Sequence, residues 1–127
     1  MIHCLTVRQP GAWLLIHGTK DIENRDWATS YRGELWIHAS KGMTRSEYED
    51  ARAFVARFDP ALAEAIPQPV DLVRGAIIRK MILRVIVTES GSPWFQGIAW
   101  PMGLRFSITR RVGWLRQSRL SRNFIRI

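Results

Sequence analysis

A short window near the N-terminus, residues 18–41, concentrates the side chains best suited to binding a nucleotide. Positive charges and aromatic rings alternate there around a turn at residues 31–33. Lysine and arginine can contact phosphate, and an aromatic ring can stack on a base. Such a mixture suits a polar pocket better than a hydrophobic core. The candidate binding residues of this window are Lys20, Glu23, Arg25, Trp27, Tyr31, Arg32, Ser40 and Lys41.

Each candidate also has a purely structural interpretation. Arg25 and Arg32 present a flat fork that matches phosphate, but each could instead pair with a neighbouring carboxylate. Trp27 and Tyr31 could each contribute roughly 1–3 kcal/mol by stacking on a base, or they could pack within the fold. Residues 40–41 could contact phosphate or lie in a solvated loop. We favour a binding role for Arg25 because bidentate contacts to phosphate are strong.

Catalysis by the same window is a second hypothesis. Cleavage of RNA beside a 2′-hydroxyl needs a base, an acid and a cation for the developing charge. Lys20, Tyr31 and Lys41 could divide those roles. Because an unperturbed lysine or tyrosine is mostly protonated at neutral pH, the pocket would have to favour proton loss from at least one of them.

Composition indicates one folded domain over residues 1–127, a usual domain size. The hydrophobic content of 46% is too high for a disordered chain. Cys4 is the single cysteine, so we expect a reducing compartment. The first residues lack the pattern of a signal peptide, and no apolar run approaches the roughly 20 residues of a membrane helix. We therefore expect a cytoplasmic protein without membrane contact.

The histidines and the cysteine do not form a pattern that predicts a metal site. His3, His17 and His38 lack the spacing of metal ligands, and Cys4 stands alone. No glycine-rich phosphate loop is present either. We therefore expect neither a metal nor a cofactor.

The net charge of +8 is distributed unevenly along the chain. Residues 1–73 carry eight Lys and Arg against ten Asp and Glu, whereas residues 74–127 carry eleven against one. A block of positive charge attracts polyanions without sequence preference. The distribution therefore favours contact with a nucleic acid, or else a solvated basic face.

Secondary-structure patterns place the window between strands and inserted helices. Residues 2–7 are rich in apolar and β-branched side chains and predict a first strand. Residues 9–10, Gln-Pro, predict the start of a short helix that stops at Gly18. The window itself contains two strand-like segments, residues 21–27 and 34–39, on either side of the turn.

The rest of the chain predicts one amphipathic helix and one long strand. Residues 44–47 form a capping box that starts a helix of about four turns, ended by residues 59–60. Residues 75–88 predict the strand. Trp94, in an aromatic loop at residues 92–97, could close over a pocket mouth or simply pack. Candidate short elements are a helical turn at residues 61–66 and strands at residues 106–108, 112–115 and 123–127. The class is therefore α+β.

Several separate pieces of the chain resemble the ASCH domain family (activating signal cointegrator homology). They cover most of residues 2–97 and comprise residues 5–10 with Ala12 and Trp13, then residues 18–27, 31–41, 75–78 and 92–95. The resemblance implies a PUA-like β-barrel with peripheral helices. It also implies association with RNA or DNA, ribonuclease activity, or amidohydrolysis of acetylated cytidine. Fold alone does not decide among these.

The chain departs from the family pattern at positions that bear on function. Gly11 follows Pro10 where the family usually has tryptophan, which removes an aromatic ring from the pocket edge. In amidohydrolase relatives the lysine at the position of Lys20 deprotonates a threonine three residues later, but here Glu23 stands there. A carboxylate beside a lysine stabilises the charged form and makes it a poorer base. The structural interpretation of Lys20 and Glu23 is an ordinary cross-strand or surface ion pair, which contributes little. Ile82 and Val85 also occupy positions that are acidic in relatives.

Residues 98–127 are rich in arginine and do not match the closing strands of the family. We therefore hypothesise a shifted reading frame in this segment. Resequencing the source DNA and finding one uninterrupted frame with this ending would remove that hypothesis.

The sequence thus predicts an ASCH domain that binds RNA or a nucleotide in a basic, aromatic-lined pocket. The alternative is a ribonuclease that acts on single-stranded RNA. Less favoured are an amidohydrolase on acetylated cytidine and, last, a regulatory module that binds a protein or small ligand.

Overall fold

Six strands form one mixed sheet in the computed structural model of the chain, which describes residues 2–25, 29–87 and 90–96 and the backbone of residues 105–110 and 124–126. The strands are β1 (Ile2–Val7), β2 (Ile22–Asn24), β3 (Gly33–Ala39), β4 (Ala76–Val87), β5 (Arg105–Arg110) and β6 (Phe124–Arg126). The helices in these ranges are α1 (Gly11–His17), α2 (Arg45–Ala56) and α3 (Pro60–Ala65), with a 3₁₀ turn at Pro69–Asp71.

The strand order across the sheet is β2-β5-β4-β3-β1-β6. β1 runs parallel to both of its neighbours, and the other pairs are antiparallel. β2 and β6 are the two edges, so the described strands make an open sheet, and the expected closure into a barrel is not present among them. The mixed α+β class is confirmed. None of the helices described is long and apolar enough to cross a membrane.

The predicted elements correspond closely to the observed ones where hydrophobic patterning is strong. β1 has the predicted bounds, and β4 lies within one residue of the predicted strand at each end. β2 is shorter than predicted, and β5 and β6 overlap two of the short candidate strands. The candidate strand at residues 112–115 lies outside the described residues.

Helix α1 is fixed at both ends by residues of the predicted pattern. The Gln9 side chain accepts a hydrogen bond from the Trp13 amide at 2.9 Å and donates one to the Val73 carbonyl at 2.8 Å. Gln9 is buried, so these bonds satisfy both ends of its amide. At the other end, a Cβ on Gly18 would lie 2.8 Å from the Leu14 carbonyl oxygen. Glycine is therefore required where the chain leaves the helix.

The capping box at the start of α2 is confirmed, because the Thr44 side chain accepts from the Glu47 amide and the Glu47 carboxylate accepts from the Thr44 amide. The helix is shorter than predicted and ends at Ala56 rather than at residues 59–60. Asp59 instead caps α3, since its Oδ1 accepts from the Leu62 amide at 3.0 Å. The predicted helical turn at residues 61–66 is this separate helix.

Two hydrophobic clusters meet at α1. Leu15 packs with sheet residues such as Leu35 and Met81, which are fully buried. Leu14, one residue earlier, packs with Val55 and other residues of α2 and α3. Helix α1 is therefore the middle layer between the sheet and the other two helices.

Candidate functional site

A small cleft of about 210 Å³ lies between α2, the segment that joins α1 to β2, and the loop at residues 92–96. Its wall combines a cation, a carboxylate, two amide side chains and two aromatic rings. These features come from separate parts of the chain. The residues that give the cleft its chemical character are Gly11, Lys20, Asn24, Asp50, Phe54, Trp94 and Gln96.

Lys20 supplies the positive charge of the cleft. Its Nζ lies 2.8 Å from Oε2 of Glu23, and the two side chains are only 14% and 12% exposed. A Cβ on Gly11 would lie 3.7 Å from the same Nζ. The glycine therefore leaves open the space beside the ammonium group that a tryptophan at this position would occupy.

Glu23 pairs with a second cation, Arg25. Nη2 of Arg25 lies 3.2 Å from Oε1 of Glu23 and also donates to the Thr6 carbonyl at 2.7 Å. The Thr6 hydroxyl in turn lies 3.2 Å from Nδ1 of His38, which is buried. The carboxylate is thus held between two cations, and Arg25 is anchored to β1. The ion pair predicted as the structural interpretation of Lys20 and Glu23 is present, but it is largely buried rather than on the surface.

Two polar atoms of this group retain hydrogen-bonding capacity. Within the described residues, Nε of Arg25 and Oε2 of Glu23 are shielded from solvent and have no hydrogen-bond partner. Oε2 lies at ion-pair distance from Lys20, but the angles are not those of a hydrogen bond. The positive charge of Lys20 compensates Oε2, so Nε of Arg25 is the atom left with an unmade hydrogen bond, which costs about 1–3 kcal/mol when buried.

Trp94 forms a fixed wall of the cleft. It is only 4% exposed, and its Nε1 donates to the Thr19 hydroxyl at 3.2 Å. Its ring meets Phe58 nearly edge-on at a centroid distance of 5.0 Å and Phe54 at 6.0 Å. The packing interpretation of Trp94 is therefore the one that matches its position, although the residue also lines the cleft.

Asn24 ties the aromatic loop to β2. Its Nδ2 donates to the Trp94 carbonyl at 3.1 Å, and its Oδ1 accepts from the Gln96 amide at 3.3 Å. The Ser92 hydroxyl also donates a hydrogen bond of 2.6 Å to the carboxylate of Asp21, the residue before β2. The loop wall and the edge strand therefore hold a common position.

Tyr31 and Arg32 are engaged in local contacts away from the cleft wall. The Tyr31 ring stacks on His3 with centroids 3.6 Å apart, and its hydroxyl donates to the Glu34 carbonyl. Arg32 is exposed and donates to the carbonyls of Thr29 and Tyr31 at 3.0 and 2.8 Å. One face of the tyrosine ring is therefore covered by protein.

The other predicted residues are dispersed. The Ser40 amide donates to the Val7 carbonyl at 2.9 Å, and Lys41 is exposed beside Gly75. Trp27 lies outside the described residues. The structure thus brings Lys20 and Trp94 to one cleft, with Glu23 and Arg25 behind Lys20.

The three residues considered for catalysis are not joined by the contacts of the described residues. Lys20 pairs with Glu23, the Tyr31 hydroxyl is bonded to a backbone carbonyl, and Lys41 is exposed at the end of β3. Their assignment as a catalytic set stays a prediction.

Sequence reasoning missed Asn24, Phe54 and Gln96 as parts of the cleft. Asn24 lies between the candidate residues Glu23 and Arg25, and its uncharged amide gives no signal of its own in the sequence. Phe54 follows the helical spacing of a core residue, and it does pack against the second cluster. Phe54 also lines the cleft because α2 lies close to the loop at residues 92–96, and this proximity cannot be inferred from the sequence.

Comparison with known proteins gives one family and two short local matches. The family model of the ASCH domain matches residues 5–102. Activating signal cointegrator 1 of Homo sapiens is 54% identical over 37 residues, and that of Mus musculus is 51% identical over 37 residues. Each match covers 29% of this chain and 6% of the relative. The chain therefore spans only a small part of the length of these curated relatives.

Proposed function

The chain belongs to the ASCH domain family, and from that premise we propose that it binds RNA or a nucleotide through the cleft at Lys20. The observation that carries the proposal is the position of the Lys20 ammonium group. It lies beside a cleft with aromatic and amide walls, and Glu23 holds it there at 2.8 Å. Association with RNA is a general property of the family and supports the same function.

The size of the cleft favours a single base as its occupant. Ligand pockets commonly measure about 300–1,000 Å³. At about 210 Å³, this cleft is smaller than that range and suits one planar ring better than a whole nucleotide. Phe54 offers an apolar surface to such a ring, and the exposed Gln96 has an amide that can both donate and accept.

Lys20 would contact the phosphate or a carbonyl of the bound nucleotide at the cleft edge. Gly11 supports this role because it leaves the ammonium group accessible on one side. Arg25 would act mainly by holding Glu23, since its Nη2 is already shared between that carboxylate and the Thr6 carbonyl. Asp50, an exposed acid, also lines the cleft and offsets the +1 charge of Lys20, Glu23 and Arg25. Lys20 therefore supplies a local contact for an anion, although the cleft as a whole carries no net charge.

The contacts of Lys20 and Tyr31 favour binding over catalysis. Glu23 occupies the position where the amidohydrolase mechanism needs a nucleophile, and its carboxylate is engaged with Lys20 at 2.8 Å and Arg25 at 3.2 Å. Ribonuclease activity by Lys20, Tyr31 and Lys41 remains the alternative. Cleavage of RNA by the protein, lost in Lys20→Ala, would favour that alternative over simple binding.

A cytoplasmic location and closure of the sheet into a PUA-like barrel belong to the same proposal. Membership of the family supports the barrel, and the single cysteine, which indicates a reducing compartment, supports the location. Neither is needed for the cleft, whose wall residues come from residues 11–96.

The test is binding of single-stranded RNA and of mononucleotides, measured by fluorescence anisotropy and calorimetry at several salt concentrations. We expect micromolar or tighter binding of RNA that weakens steeply with salt. Lys20→Ala should weaken both ligands by about tenfold or more, as removal of a charged hydrogen bond does.

Lys80→Ala is the matched control, because Lys80 pairs with Glu34 on the sheet and does not line the cleft. It removes the same charge and should change the affinity less than about twofold. Thermal unfolding of both variants checks that they fold. Absence of RNA binding at low salt, or equal affinities of the two variants, would overturn the proposal.

A further inference from the structure

A second cleft of about 540 Å³ lies on the other flank of α2, and three arginines line it. Arg45 and Arg52 come from α2, and Arg74 comes from the segment before β4. Among the residues that the structure describes there, Glu49 is the acidic one. Glu64 of α3 also pairs with Arg52 from outside the lining, so the three arginines exceed these two carboxylates by one positive charge. We term this surface the arginine cleft.

Arg52 is held in place by the surrounding helices. Its Nε donates to the Ala63 carbonyl at 3.3 Å, and its guanidinium lies 5.8 Å above the centre of the Tyr48 ring. The buried Tyr48 is itself fixed by a bond of 2.9 Å from its hydroxyl to the Pro67 carbonyl. Nη2 of Arg52 lies 3.4 Å from Oε1 of Glu64, whose side chain is 82% exposed. The fork is therefore positioned by α3, while its ionic partner remains replaceable.

The other two arginines are more accessible. Arg45 pairs with Glu49 at 2.9 Å through Nε, and both side chains are largely exposed. Arg74 is exposed and has no hydrogen bond or ion pair with any other residue that the structure describes. Exposed ion pairs contribute only about 0.2–1 kcal/mol, so an anion can compete with Glu49 at little cost.

The two clefts use different sides of the same helix. At 3.6 residues per turn, Arg45, Glu49 and Arg52 project about opposite to Phe54 of the first cleft. A helix with its side chains is about 10–12 Å across, so one nucleotide cannot contact both clefts. A strand of several nucleotides that crosses α2 can do so.

We propose that the arginine cleft binds backbone phosphates of the same single-stranded RNA whose base enters the Lys20 cleft. This inference rests on the proposed function. Guanidinium groups match phosphate oxygens in pairs and are weakly hydrated, which favours them over lysine at such a surface. The cleft contributes affinity without base preference, because phosphates carry no sequence information.

The test compares a mononucleotide with a single-stranded RNA octamer for three variants. Arg45→Gln/Arg74→Gln removes two cations of the arginine cleft. Lys80→Gln/Arg84→Gln removes two cations of β4 that line neither cleft and is the control. Lys20→Ala tests the first cleft. All are measured at salt concentrations from low to physiological.

We expect the Arg45→Gln/Arg74→Gln variant to bind the mononucleotide as the parent does but to bind the octamer about tenfold more weakly. The slope of log K against log salt should decrease in magnitude by about 1.4, since each phosphate contact on a single strand contributes about 0.7. The control variant should leave the mononucleotide affinity unchanged and lower that of the octamer by less than about threefold.

Other outcomes separate the two proposals. One outcome would overturn only the proposal that the arginine cleft binds phosphates. In it, Arg45→Gln/Arg74→Gln leaves the octamer affinity and the salt slope unchanged, while Lys20→Ala abolishes mononucleotide binding. A polyglutamate peptide that binds this cleft more tightly than RNA would also overturn it, by assigning it to an acidic protein partner. Failure of the parent protein to bind either ligand would overturn both.

Discussion

Replacing Glu23 with glutamine tests whether the buried charges at the Lys20 cleft are energetically linked. Glu23 lies between Nζ of Lys20 at 2.8 Å and Nη2 of Arg25 at 3.2 Å, one carboxylate oxygen facing each cation. Glutamine keeps the size of the side chain, but its amide nitrogen must face one of the two cations. One positive charge then loses its partner in a largely desolvated position.

The expected loss of stability follows from burial. Breaking a fully buried ion pair by removing one partner costs about 3–5 kcal/mol. Because the Glu23 and Lys20 side chains remain 12% and 14% exposed, we expect the lower end, about 3 kcal/mol, for E23Q. For a chain of this length that corresponds to a decrease in Tm of roughly 10 °C.

The same substitution at Glu34 is the matched control. Glu34 pairs with Lys80 at 2.9 Å, almost the same distance, but the two side chains are 46% and 32% exposed. We expect E34Q to cost less than about 1 kcal/mol, as exposed ion pairs do. Urea denaturation of both variants at pH 7 gives the comparison. Equal losses in E23Q and E34Q would refute the reasoning that burial sets the energy of the Glu23 contacts.

Three further predictions concern the parts that support the cleft. Gly18→Ala should destabilise the protein by about 1–3 kcal/mol in urea denaturation, because its Cβ would lie 2.8 Å from a backbone oxygen. Gln9→Ala should cost at least about 2 kcal/mol in the same assay, since it leaves two backbone groups without partners. Hydrogen bonds from Arg8 and the Thr44 amide lower the pKa of Glu47 to about 2, from 4.5. Its contribution to stability is therefore complete above about pH 4.5 and is lost as the pH falls towards 2, and E47Q should flatten that part of the stability profile.

Local patterns predicted much of the fold because their causes are local. The capping box at Thr44 depends on groups three residues apart, and β1 is a continuous run of strand-forming residues. The pairing of Lys20 with Glu23 was likewise open to inference, since three positions separate them. The end of α2 was misplaced because Asp59 satisfies an amide of the following helix rather than closing the preceding one.

The cleft itself could be predicted only in part. Lys20 and Trp94 were both proposed as binding residues. They are far apart in the sequence, so no sequence pattern shows that they line the same cleft. Asn24 bonds to the Trp94 backbone across 70 positions, which no local pattern encodes. The sequence left open whether Tyr31 stacks on a base or packs within the fold. Its ring packs on His3, because the start of β1 lies next to the turn before β3.

The aromatic loop at residues 92–96 is attached to β2, and this attachment determines which part of the cleft wall should open first. β2 has three residues, lies at the sheet edge and pairs there only with β5 among the described strands. Because Asn24 joins that edge to the Trp94 segment, we expect the two segments to open together while the cluster around Leu35 stays intact. Amide hydrogens of this unit should exchange faster than those of β3, and an occupied cleft should slow them.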